Sequence, residues 1–128
     1  MSKKLFYSVE EAQELLISLK PMIKNMVELK SKLDSKGFDV YKHKYYGGMG
    51  PNGTGKFPKE MDELIDIVKY ISSLNVEIKS LDTGLIDFPH IRKNGEEVYL
   101  CYMHGEERIE FWHGLYSGFA GRLPISEI

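Results

Sequence analysis

The residues with the most chemistry to offer are gathered toward the C-terminal end: Asp87, Arg92, Glu97, Glu106, His113 and Arg122. A histidine with two carboxylates can ligate a divalent cation, and His113, Asp87 and Glu106 are the candidates for that role. The same types can move protons when brought within about 3 Å of a substrate, and His113, Asp87, Glu97 and Arg122 are the candidate catalytic set. His113 leads because it follows a large aromatic, Trp112, and precedes Gly114, where a strand is expected to give way to a loop. Arg122, in GFAGR with Gly118 and Gly121 just before it, suits an anion that must come close to the backbone. The spacing matches neither HExxH nor any CxxC pair, and the lone Cys101 and scattered histidines argue against structural zinc. A structural reading stands beside the chemical one. Asp87 can bond turn amides, His113 can satisfy a backbone carbonyl, and Arg122 can lock the C-terminal tail through an ion pair.

A second phrase looks like chemistry. GPNGTGK at 50–56 places Gly50, Gly55 and Lys56 at phosphate-loop spacing and resembles the loop of ABC-type transport ATPases. Phe57 then stands where a Ser or Thr hydroxyl would hold magnesium, and Pro58 removes an amide where a helix N-terminus should donate. What precedes the run is a long helical pattern and FDVYKHKYY rather than a buried strand, and GMGPNG is equally out of place for a dinucleotide. Nucleotide is therefore not expected. Gly, Pro and Asn are what a long inter-helix turn needs, with Tyr41, His43, Tyr45, Tyr46 and nearby lysines available to touch a partner.

These residues need elements to position them. Ser8 and Glu11 form a capping-box signature, after which Ala12, Leu15, Leu19, Met22, Met26, Leu29 and Leu33 recur at steps of three and four. Val9, Leu16, Ile23 and Val27 widen that heptad seam. Pro21 falls within the pattern, and the seam's unbroken register predicts one kinked helix ending near Gly37. A second amphipathic helix is predicted from Pro58 to about Leu74, with Met61, Leu64, Ile65, Val68 and Ile71 on one face. From Val76 the period changes to two: VEIK, GLIDF, EEVYLCYM and ERIEFW read as strands, with a tight turn at Asn94-Gly95 and a second turn at HGEE. His90 and His104 are expected in exposed turns. The expected fold is α+β, one domain over 1–128. A long, coiled-coil-like antiparallel helical hairpin occupies about 8–75, with its loop at 37–57, and a small antiparallel sheet and tail occupy about 76–128.

The C-terminal order GLIDFP, VYLCY, a GE pair and WHGLYSGFAGRLP, together with FYSVEEAQELL near the start, resembles a prokaryotic family of uncharacterised proteins, a domain of unknown function. That resemblance implies a fold and no activity.

Composition bounds the rest. The chain has 128 residues, 42% hydrophobic and 28% charged, with a net charge of −2, so no global attraction to nucleic acid or membranes is encoded. One cysteine excludes an internal disulfide, and the lack of a signal peptide or long apolar run points to the cytoplasm. Cys101 itself, within VYLCYM, is expected to be a buried small hydrophobe rather than a reactive thiol. Because the first helix outruns the second, part of its seam needs another cover, which favours self-association or a protein partner. The alternative is a ligand-binding protein or enzyme, with a divalent metal as its cofactor, using a pocket of the C-terminal sheet.

Overall fold

The computed structural model describes residues 4–42, 44–45 and 58–128, with the backbone alone for 44–45. The glycine-rich run lies outside them, together with His43, Tyr46 and the side chain of Tyr45.

Helix α1 spans Val9–Ser35. Its capping box forms as expected: the Glu11 amide donates to Ser8 Oγ (3.0 Å) and the Ser8 amide to Glu11 Oε1 (2.9 Å). Pro21 sits exposed within the unbroken helix, and Gly37 (φ 74°) turns the chain out of it. A two-residue ribbon follows, β1 (Phe38–Asp39) pairing antiparallel with β2 (Lys44–Tyr45). Helix α2 spans Lys59–Ser73, with Pro58 as its N-cap residue, and contacts α1.

The rest is a five-stranded antiparallel sheet in sequence order: β3 (Glu77–Ser80), β4 (Leu85–Ile91), β5 (Glu97–Met103), β6 (Phe111–Gly114) and β7 (Leu123–Pro124). The fold is α+β. The Asn94-Gly95 turn joins β4 to β5, with the Gly95 amide donating to the Arg92 carbonyl (2.8 Å). The predicted strand over 107–112 is displaced to Phe111–Gly114 by a contact distant in sequence. The side-chain amide of Gln13 on α1 both donates to Ile109 O (2.8 Å) and accepts from Ile109 N (2.9 Å), replacing a strand neighbour, while the Ile109 side chain is fully buried.

Register assigns the faces. Ile86, Phe88, Val98, Leu100, Tyr102 and Trp112 share one face and pack with Leu16, Leu19, Ile23, Met26 and Leu33 of α1 in a single core. Of the seven seam residues Ala12, Leu19, Met26, Leu29 and Leu33 are buried, whereas Leu15 and Met22 are only partly buried and the neighbouring Leu16 and Ile23 are buried in their stead. His90 is not in an exposed turn: it lies within β4, half-buried, and its Nδ1–H donates to the Tyr7 carbonyl (2.7 Å), fixing the segment that leads into α1. His104 is exposed, as expected. No helix among the described residues is long and apolar enough to cross a membrane.

Candidate functional site

The other face of the sheet carries the polar residues. Alternation on three neighbouring strands brings Asp87 of β4 opposite Cys101 of β5, and His113 of β6 opposite Tyr99 of β5. The chain after β6 folds back over this face, so Asp87 and His113 are nearly inaccessible, at 1% and 3%.

His113 Nε2 lies 3.1 Å from both carboxylate oxygens of Asp87, and its Nδ1 lies 2.8 Å from the Gly114 carbonyl oxygen. Both ring nitrogens therefore face acceptors, an arrangement that the imidazolium satisfies completely. The Asp87 carboxylate raises the pKa of His113, burial opposes the rise, and the Gly114 carbonyl adds to it. The Cys101 thiol is fully buried, and its sulfur lies within 4.8 Å of ligand atoms of both Asp87 and His113. Burial first, and the Asp87 charge second, push its pKa up to about 12, so it remains a thiol at neutral pH. Asp87 is the acceptor for His113 and the carboxylate of this buried set.

Beside this pair lies a recess of about 210 Å³. Asp87, Tyr99 and His113 form its polar lining, with Lys79, Leu115 and Phe119 around them. Tyr99 donates to Glu77 Oε2 at 2.5 Å, and the phenol's pKa is raised to about 12, mainly by that bond. Lys79, at an irregularity in the β3–β4 register, bonds Glu77 Oε1 (2.8 Å) and sits 5.6 Å over the Tyr99 ring. Burial opposes ionisation of Glu77, yet its bonds from Lys79 and Tyr99 hold its pKa below the ordinary value.

The residues that the sequence nominates do not all meet. Asp87 and His113 do, but Asp87 bonds these side chains from mid-strand rather than capping a turn. Glu97 is exposed at the start of β5. Arg122 is committed to holding the fold together. Its Nη2 bonds both oxygens of Glu106 (2.7 and 2.8 Å), and the guanidinium lies between the rings of Phe111 (4.1 Å) and Phe119 (4.7 Å). Glu106 also accepts from the Met103 amide (2.7 Å), so both its oxygens are engaged away from His113. Arg92 likewise holds the tail, donating to Ile128 O (3.0 Å) and pairing with Glu96 (2.7 Å). Cys101, Tyr99, Glu77 and Lys79 were not nominated. The signal for them was strand alternation, which becomes informative only once the β4–β5–β6 register is known.

Comparison with the curated proteins and with the solved structures gives no match for this chain. A family model, by contrast, covers nearly its whole length, residues 5–125. The chain belongs to that family, described as an uncharacterized conserved protein (DUF2203).

Proposed function

We propose that the protein binds a small polar molecule in the recess on the outer face of its sheet. The observation that carries this reading is the buried Asp87–His113 pair lying against a recess that the chain does not fill. Burying a carboxylate and an imidazolium is costly, and a purely structural role is met as well by hydrophobic residues of similar volume. A charged floor beside an open space is instead the pattern of a binding pocket. At about 210 Å³ the recess lies below the range of roughly 300–1,000 Å³ that holds drug-sized ligands, so the ligand is a small metabolite rather than a nucleotide.

The arrangement favours binding over proton transfer by His113. With Nδ1 and Nε2 both directed at protein acceptors, the ring has no nitrogen left for a substrate. Lys79 and the Tyr99 hydroxyl are the polar groups a ligand would recruit by displacing Glu77. Self-association through α1 is less favoured, because most of the apolar seam that would drive it is packed into the core.

A screen of small polar fragments, followed by backbone amide and side-chain NMR shifts, tests this reading. Binding should move Lys79, Tyr99, His113, Leu115 and Phe119 together. Shifts confined to the apolar groove lined by Val40, Leu64, Val68 and Leu81 would refute it.

A further inference from the structure

Among the described residues, Asp87, Cys101 and His113 are a buried set of three whose ligand atoms all lie within 4.8 Å of one another. We infer that these three side chains form a site for a divalent transition-metal ion of the zinc type, with a fourth position open to the recess. The inference deepens the pocket proposed above and rests on it for that fourth position.

One imidazole nitrogen, one thiolate and one carboxylate oxygen make a borderline-soft donor set that suits zinc better than magnesium or calcium. Three protein ligands with a vacant fourth corner is the form of a zinc centre that accepts water or a ligand. The His113–Asp87 separation is near what a tetrahedral ion requires, and the Cys101 sulfur, within 4.8 Å of both, needs to close on them by no more than about 1.5 Å. Around zinc, neighbouring N, O and S ligand atoms stand roughly 3.3–3.6 Å apart. His113 Nε2 is already 3.1 Å from each Asp87 oxygen, so that pair needs to open by only a few tenths of an ångström.

An independent feature is the outer partner of the histidine. Histidines that ligate metals generally donate their other ring N–H to a carbonyl or carboxylate, which fixes ring and tautomer. His113 Nδ1–H does this to the Gly114 carbonyl at 2.8 Å, leaving Nε2 directed at Asp87. Access is asymmetric in a useful way: Asp87 and His113 line the recess, and Cys101 completes the set from behind.

The exchange conserves charge. The ion displaces the proton on Nε2 of the imidazolium and the proton on the Cys101 sulfur, both of which leave to solvent. The buried group sums to zero before, as imidazolium, carboxylate and thiol, and again afterwards, as dication, imidazole, carboxylate and thiolate. No uncompensated charge is left in the sheet.

The test uses the full chain, freed of metal by chelation, and titrates it with Co²⁺, then competes with Zn²⁺. The expected result is one Co²⁺ per chain with a thiolate-to-cobalt charge-transfer band that Zn²⁺ abolishes. Losing an outer hydrogen-bond partner weakens metal sites about 10–100-fold, so losing a ligand in Cys101→Ser should weaken Zn²⁺ binding by about a hundredfold or more. The band should vanish in Cys101→Ser and in Cys101→Ala, the second variant guarding against a polar-burial effect of the serine. Cys101 lies outside the recess lining, so fragment-induced shifts at Lys79, Tyr99 and Phe119 should persist in both variants. Failure of Co²⁺ to bind, binding without the band, or equal Zn²⁺ affinity in wild type and Cys101→Ala would overturn the metal site. The fragment shifts would then judge the pocket separately.

Discussion

Removing the Asp87 carboxylate should be worse for the protein than removing it together with its partner. Asp87→Ala strands a buried imidazolium, a change that costs about 3–5 kcal/mol when one member of a buried pair is lost. The double variant Asp87→Leu/His113→Leu strands nothing and should cost less than the single variant in urea unfolding. If the single variant proved the milder one, the pair would not be the buried ion pair described here. Tyr99 gives a pH-dependent companion. Its bond to Glu77 raises the phenol's pKa from the ordinary 10.0 to about 12 in the fold, so the fold favours the protonated phenol. The contribution is fully present below the unfolded value and is lost as pH rises toward the folded one. Tyr99→Phe should therefore be less stable than wild type by about 1 kcal/mol near pH 8, discounting for the partly exposed Glu77. That deficit should close between about pH 10 and 12 in paired denaturation curves. The sequence made Asp87 and His113 legible, since a buried-strand aspartate and a histidine after tryptophan are conspicuous. It hid the role of Cys101, because a cysteine inside VYLCYM looks the same whether its sulfur faces leucines or a carboxylate.

The elements show where periodicity suffices and where it does not. The α1 start and the Asn94-Gly95 turn follow from local chemistry, and both form as the residues dictate; on α1 the buried stripe takes Leu16 and Ile23 in preference to Leu15 and Met22. The strand predicted over 107–112 does not, because Gln13, nearly a hundred residues upstream, takes over the backbone of Ile109. Two-residue β7 carries no pattern of its own. Gly84 connects sheet to helix most closely: it has φ +66°, and a Cβ there would stand 2.7 Å from His104 Cβ and 2.9 Å from Ile23 Cγ2. Gly84→Ala should cost about 1–3 kcal/mol from backbone strain and overpacking, read by thermal unfolding. Pro21→Ala should act in the opposite sense. The exposed proline removes a helical hydrogen bond at a cost of about 3 kcal/mol, offset by roughly 0.4–1 kcal/mol through its restriction of the unfolded chain. A gain of about 2 kcal/mol is expected, and no gain would mean that the helix at Pro21 has already accommodated the ring.

The sheet divides the molecule into two environments. One face is the hydrophobic core shared with the helices, and the other is a polar surface roofed by the chain after β6. The roof is held by the Arg122–Glu106 pair, by Trp112 Nε1 donating to Pro124 O (3.0 Å) and by the Ile125 amide donating to Glu110 O (2.8 Å). Arg122→Ala should loosen the roof while sparing the core, so amide exchange should accelerate over 115–124 and stay slow in β4 and β5. The α+β class was legible because the change from helical to alternating period at Val76 is abrupt. The roof was not, since WHGLYSGFAGRLP has no period to read and its path depends on contacts distant in sequence, the Arg122–Glu106 pair among them.

If the recess beside Asp87 and His113 is where the protein meets its ligand, a crystal of the full chain soaked with a mixture of small polar fragments should reveal it. The expected result is a fragment bound within hydrogen-bond reach of Lys79 or Tyr99, beneath Phe119. Fragments found only in the groove between α2 and β3, with the recess closed by the protein's own side chains, would contradict the binding role proposed for it.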